Sequence, residues 1–161
     1  MSDIMDIRAS EIAGLRRSVR EAKKQLAAAR DNDAIVGALH KLALLLISAK
    51  KPGLQWRAQA EKTMARALPK ITRCRIIAAD EMDAATKRRA AKLPAGGAAE
   101  LIDESYAVAG LPSAYSVPLK KGAGVCGLLL LYARDKNAFP PGTASDFALR
   151  LGQLIAAAMA K

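Results

Sequence analysis

The side chains that could carry out chemistry are few in this 161-residue sequence. Its single histidine, His40, stands in a leucine-rich segment, with no cysteine, serine or acid at the spacing of a catalytic or metal-binding motif. The two cysteines, Cys74 and Cys126, lie in separate apolar stretches without a second metal ligand nearby, which is typical of small core residues. None of these residues predicts a nucleophile or a metal site.

The densest group of carboxylates consists of Asp80, Glu81 and Asp83. They stand between a predicted strand and a predicted helix, where acidic side chains stabilise the helix N-terminus, so capping is favoured over acid–base catalysis. The sequence also lacks a phosphate-binding glycine loop and the G-x-S-x-G, H-E-x-x-H and C-x-x-C motifs. We therefore predict a protein that is not an enzyme and that needs no cofactor or metal.

Positive charge is concentrated in the middle of the chain. The net charge is +11, and residues 41–92 supply +9 of it, from 13 basic and 4 acidic residues. Because a dense cationic surface binds nucleic acid by releasing counterions, a nucleic-acid-associated protein is one hypothesis. No recognition helix, zinc finger or platform of stacking aromatics supports it further. The candidate face consists of Arg57, Lys62, Arg66, Lys70, Arg73, Arg75, Arg88 and Arg89.

The clearest periodicity belongs to the first part of the chain. Apolar residues recur there at alternating spacings of three and four, as at the a and d positions of a coiled coil, until a charge enters at Asp33. Such a stripe has to be covered, either by a second copy or by the rest of its own chain. Because Glu11 of one copy would face Arg16 of the other, the flanking charges favour a parallel homodimer. The stripe, called the seam below, consists of Ile12, Leu15, Val19, Ala22, Leu26 and Ala29.

Further elements follow from local patterns. An apolar helical face continues after Asp31 and ends at the Pro52–Gly53 turn. Pro118 indicates that its strand either lies at the edge of a sheet or ends there. A second helix should direct Trp56, Ala60 and Met64 toward the core. The predicted elements are a helix over 54–68, a strand over 71–78, a short helix over 84–92, a hairpin of 114–119 and 125–133 around the connection 120–124, and a closing helix over 143–160 capped by Thr143 or Ser145.

This order of elements predicts an α+β protein with a small antiparallel sheet flanked by helices and a long N-terminal helix. We expect residues 1–50 to form a helical dimerisation segment and residues 54–161 to form the α+β domain. The first residues do not resemble a secretion signal, and no apolar run reaches the ~20 residues that a membrane span needs. A cytoplasmic protein without membrane contact is therefore expected.

Two stretches of the chain resemble a known family. Residues 29–46, ARDNDAIVGALHKLALLL, contain an R-x-N-D motif, and residues 127–159 contain a G-L-L-x-L, R-D, F-x-P-G, D-F and L-G series in that order. Over about three quarters of its length the chain is similar to the proteobacterial GAF-like family known as domain of unknown function 484. The matching residues are Arg30, Asn32, Asp33, Gly127 to Leu129, Arg134, Asp135, Phe139, Pro141, Gly142, Asp146, Phe147, Leu151 and Gly152.

The resemblance implies a GAF-like fold and a dimer, without an established activity. GAF-like domains bind effectors between the sheet and its covering loops, although residues 76–112 are short for a full GAF sheet. We therefore expect a regulatory or sensory dimer that holds an unidentified small ligand, with a ligand-free scaffold for a protein partner as an alternative. The candidate ligand-binding residues are Tyr106, Tyr115, Ser116 and Tyr132.

Overall fold

The computed structural model describes residues 2–48, 54–139 and 146–159. Several residues singled out from the sequence lie outside these ranges, so the predictions made for them are not addressed by the structure. They are the predicted turn at Pro52 and Gly53, the motif residues Pro141 and Gly142, and the predicted capping residues Thr143 and Ser145.

The chain divides into two compact units, Met1–Ala34 and Ile35–Lys161. The division falls inside the first helix, α1 (Ser2–Ser48). The reason is packing: Leu42 is fully buried in a core of the second unit, and Ile35 and Leu39 pack against the same core. The last part of α1 therefore belongs to the α+β unit.

The second unit continues with alternating helices and strands. They are α2 (Leu54–Ala67), β1 (Arg73–Ala78), α3 (Ala84–Lys92), β2 (Ser113–Lys121), β3 (Gly124–Ala133) and α4 (Asp146–Met159), with short 3₁₀ turns at Ala79–Glu81 and Glu104–Tyr106. The three strands form an antiparallel sheet in the order β1-β3-β2. The predicted α+β class, with a small antiparallel sheet and a long N-terminal helix, is confirmed.

The central strand β3 is covered on both faces. Leu129 and Leu131 enter a first core, which α2 and α4 complete. Trp56 of α2, a predicted core residue, belongs to this first core. Leu128 and Leu130 enter a second core on the opposite face, which is completed by α3 and by the segment between α3 and β2. Because neighbouring residues of a strand point to opposite faces, this double burial explains why β3 is apolar at consecutive positions.

The hairpin of β2 and β3 is tighter than the sequence predicts. Lys120 and Lys121 pair with Val125 and Gly124, so they extend β2 instead of belonging to a five-residue connection. Gly122 has a positive φ of 60°, a backbone conformation that glycine adopts without steric cost and that short hairpin turns require.

The outer edge of β1 has its hydrogen-bonding groups occupied by side chains. The Ile76 N–H donates to a Glu61 carboxylate oxygen at 2.7 Å, and the Ala78 N–H donates to Glu81 at 2.7 Å. Arg57 fixes the second acceptor, because its guanidinium lies 2.6 Å from the same Glu81 oxygen. An unpaired strand edge is a template for pairing with another chain, and here two of its donors are engaged.

The outer edge of β2 is occupied in a different way. Ser116 exchanges two backbone hydrogen bonds of 2.9 Å with Ala98, so a short piece of the preceding segment pairs with the strand. Two residues later, at a position facing the same edge, Pro118 has no N–H to offer. The edge position predicted for Pro118 is confirmed by the strand order.

Close packing at the middle of the sheet leads to a stability prediction. A Cβ atom added to Gly127 would lie 2.5 Å from the Ile77 carbonyl oxygen, a backbone atom that cannot turn aside. We expect Gly127→Ala to lower the free energy of unfolding by about 1–3 kcal/mol, the usual cost of overpacking a core. Urea unfolding followed by circular dichroism measures the change.

Gly37→Ala is the matched control for this prediction. Gly37 lies on α1 within the same compact unit, and a Cβ there meets nothing within 4 Å. Because alanine is the better helix former by up to about 1 kcal/mol, this variant should be equally stable or more stable. A Gly127→Ala protein as stable as wild type would contradict the packing described.

Candidate functional site

The seam on α1 is open to solvent along its length. Leu15 is 67 % exposed, and Ile12, Val19 and Leu26 are each more than half exposed. The two smaller members, Ala22 and Ala29, are exposed as well. Soluble proteins rarely leave a continuous apolar stripe uncovered unless it serves an interaction.

Three of the four residues predicted to bind a ligand use their hydroxyl groups in hydrogen bonds inside the protein. The Tyr115 hydroxyl donates to the Gly96 carbonyl at 3.0 Å, the Ser116 hydroxyl to the Glu100 carbonyl at 2.7 Å, and the Tyr132 hydroxyl to the Tyr106 carbonyl at 2.6 Å. All three acceptors belong to the segment that connects α3 to β2. These bonds fasten that segment to the sheet.

The same residues are not brought together at one place. Tyr115 belongs to the first core, where its ring packs 5.4 Å from that of Phe139, and Tyr132 belongs to the second core on the other face of the sheet. Tyr106 is half-buried beside the second core, with the Arg75 guanidinium 6.0 Å from its ring centroid. Their hydrogen bonds give these residues a structural role, and a shared ligand site for them stays a prediction.

The candidate nucleic-acid residues lie on or beside three different elements, α2, α3 and β1. Arg57, Lys62 and Arg66 project from α2, which packs on the first core, whereas Arg88 and Arg89 project from α3, which packs on the second. Several are already engaged: Arg57 pairs with Glu81, and Arg89 donates to the Ile102 carbonyl at 2.7 Å. The remaining members, Lys70, Arg73 and Arg75, lie at or near the start of β1. The sheet therefore lies between the members on α2 and those on α3, and a single nucleic-acid face for all eight residues stays a prediction.

The cysteines have the structural role that the sequence predicts. Cys74 is buried in the first core, and burial raises the pKa of its thiol to about 12. Cys126 is half-buried against the same core, where its thiol donates to the Leu119 carbonyl at 3.1 Å and burial raises its pKa. Since the thiolate is the reactive form of cysteine, neither environment activates a nucleophile.

Two of the three carboxylates between β1 and α3, Glu81 and Asp83, accept capping hydrogen bonds, whereas Asp80 accepts none from the described residues. Asp83 is the N-cap of α3, and its side chain accepts a 2.6 Å hydrogen bond from the Thr86 N–H. Backbone hydrogen bonding lowers the pKa of Asp83, and it also lowers the pKa of Glu81, whose carboxylate accepts from the Ala78 N–H. Within the described ranges, no group of three or more His, Cys, Asp or Glu side chains could hold a metal ion.

Two further findings concern membrane spans and similarity to known proteins. Among the described residues no helix has an apolar stretch long enough to cross a membrane. No protein-family model matches the chain, and no curated protein is similar to it. The likeness to domain of unknown function 484 therefore stays a prediction based on the motif residues.

The hydroxyl contacts of the sheet predict the effect of removing one of them. Burial raises the pKa of Tyr132, so its hydroxyl stays protonated and donates to the Tyr106 carbonyl. Tyr132→Phe should lower the free energy of unfolding by about 1 kcal/mol and accelerate amide hydrogen exchange between α3 and β2. Exchange mass spectrometry measures the second effect. An unchanged exchange rate in that segment would contradict the fastening role.

The contacts of the Glu81 carboxylate predict that the free energy of unfolding depends on pH. Its pKa is lowered in the folded protein, first by the Ala78 N–H and then by Arg57. The stabilisation is therefore present above the unfolded-state pKa and is lost as the pH falls through the folded-state pKa. Glu81→Gln should be less stable than wild type at neutral pH, and the difference should shrink in acid. Urea unfolding of both proteins at neutral and at acidic pH measures this difference in the free energy of unfolding.

Asp80→Asn provides the control for Glu81→Gln. Asp80 is exposed in the same 3₁₀ turn, and its carboxylate makes no hydrogen bond or ion pair to another described residue. Its substitution should leave the pH dependence of stability unchanged. If both variants behave alike, the capping contacts of Glu81 do not stabilise the fold.

Proposed function

We propose that the protein is a non-enzymatic, GAF-like regulatory dimer whose N-terminal helix pairs in parallel with a second copy through the seam. The observation that carries this proposal is the exposure of the seam, from Ile12 to Ala29, on a helix whose apolar residues keep a coiled-coil spacing. Resemblance to domain of unknown function 484 supports the dimer and the regulatory role. In such a dimer the paired helices would join the α+β units of the two copies.

Charges beside the seam support a second copy as the occupant. With Ile12 at position a, the e positions hold Arg16, Lys23 and Arg30, whereas the g positions hold Glu11, Ser18, Gln25 and Asn32. An antiparallel pair sets the cationic e positions against each other. A parallel pair places Glu11 opposite Arg16 of the other copy and otherwise brings cations beside neutral residues, so the parallel arrangement is favoured.

The size of the seam residues indicates how firmly the helices pair. Full burial of a leucine, isoleucine or valine side chain contributes about 1.5–3 kcal/mol, whereas the alanine layers at Ala22 and Ala29 contribute much less and allow a close approach of the backbones. We therefore expect a dimer whose population increases with protein concentration.

Hydrogen bonds already formed at the two outer edges of the sheet favour association of two copies through α1 and not through the sheet. On β1, Ile76 and Ala78 donate to carboxylates, and on β2 Ser116 pairs with Ala98. Pairing of two sheets edge to edge would have to displace these bonds. The seam requires no such exchange, because its side chains are already exposed.

Light scattering of the wild type and of Leu15→Glu tests the pairing. A carboxylate at this d position would lie against apolar side chains, and an unpaired buried charge costs several kcal/mol. The wild type should have the mass of a dimer and Leu15→Glu that of a monomer, with unchanged circular dichroism of the α+β unit.

Ala28→Glu is the matched control. It introduces the same side chain into the same helix, at an exposed c position outside the seam. It should keep the dimer mass. A wild type that stays monomeric at high concentration, or loss of the dimer in both variants, would overturn the proposal.

A further inference from the structure

A second surface of α1 lies beside the seam and carries positive charge. Residues 16–24 contain five basic residues and one acidic residue, a net charge of +4 within nine positions. The acidic residues of the first unit lie mostly elsewhere, with Asp3, Asp6 and Glu11 before this stretch and Asp31 and Asp33 after it. The five residues, called the cationic band below, are Arg16, Arg17, Arg20, Lys23 and Lys24.

The cationic band occupies one side of the helix. Residues four apart are neighbours on a helix surface, so Arg16, Arg20 and Lys24 form a row with steps of about 6 Å. All five band residues are exposed, and none forms an ion pair within the described part of the chain. Among the described residues their charge is therefore balanced only in part, by Glu21 within the same stretch.

Pairing through the seam leaves most of the band accessible. Arg17 and Lys24 are f positions and Arg20 is a b position, which point away from the partner helix in a coiled coil. The surface is thus present in a monomer and doubled in a dimer. The inference drawn from it goes beyond the proposed pairing and does not depend on it.

We propose that the cationic band binds the sugar–phosphate backbone of double-stranded nucleic acid, without sequence preference. A row of exposed arginine and lysine side chains complements a line of phosphates, and binding releases the counterions condensed on the duplex. The band has no aromatic residue, and neither has the rest of α1, so it offers no stacking platform for single-stranded bases. The adjoining seam contains leucine, but α1 has neither the Trp nor the Phe that interfacial helices also insert into lipid.

The test measures binding to a labelled DNA duplex of about 30 base pairs as a function of salt. The test variant carries Arg17→Gln, Arg20→Gln and Lys24→Gln, three exposed positions outside the seam where glutamine keeps the helix. The control carries Lys87→Gln, Lys136→Gln and Arg150→Gln, which remove the same charge from exposed positions of the α+β unit. Light scattering and circular dichroism confirm that both keep the mass and fold of wild type.

We expect the wild type to bind the duplex at about 50 mM salt and the band variant to bind at least about tenfold more weakly. The slope of log K against log salt should become shallower by about 2.7 for each helix engaged, because each phosphate contact contributes about 0.9. The control should keep the affinity to within about twofold and the slope of wild type, since its charges lie outside the band.

Three outcomes would overturn the proposal. One is a wild type that does not bind the duplex at low salt. Another is an equal loss of affinity in the band variant and the control, which would mean that only net charge matters. The third is tighter binding of the wild type to vesicles containing phosphatidylserine than to the duplex, which would make the band a membrane-binding surface. Failure of the helix pairing with retained duplex binding would overturn only the dimer.

Discussion

Burial of β3 on both of its faces is the constraint on which the α+β unit depends. With leucines alternating into two cores, this strand requires α2, α4 and the end of α1 on one side and α3 with its following segment on the other. Gly127 shows how tightly the layers meet, since no Cβ fits between this strand and β1. The two-sided packing also separates the surfaces of the molecule, because residues projecting from α2 and α3 cannot share a face.

The separation changes the functional interpretation of the sequence. Basic residues of the middle segment look like one surface when they are counted along the chain, but the sheet divides them. The first 40 residues have a net charge of only +1, yet they contain the cationic band, because five of their six acidic residues lie before or after it. Net charge averaged over the first 40 residues therefore does not reveal the cationic band, whose residues the helix places on one side. A shorter window over residues 16–24 is the signal that reveals it.

Local patterns predicted most of the elements, and long-range contacts account for the differences. The α+β class, the hairpin, the short helix over 84–92 and the inward stripe of α2 follow from periodicity within a few residues. The roles of Tyr132 and Ser116 could not be predicted in this way, because their carbonyl acceptors lie 26 and 16 residues away. The unit boundary at Ala34 depends on the burial of Leu42 with Ile35 and Leu39. Helical spacing separates these residues from the exposed Leu44, but it does not predict which elements cover their face.

The occupied edges of the sheet have a consequence for how the protein behaves when it is crowded. The parallel helix pair proposed above would bring two sheets to a high local concentration. Open strand edges held together in this way could add neighbours without limit and grow into fibrils. Glu61 and Glu81 on one side, and Ala98 with Pro118 on the other, remove that route. Assembly through the seam can then stop at a closed, twofold particle.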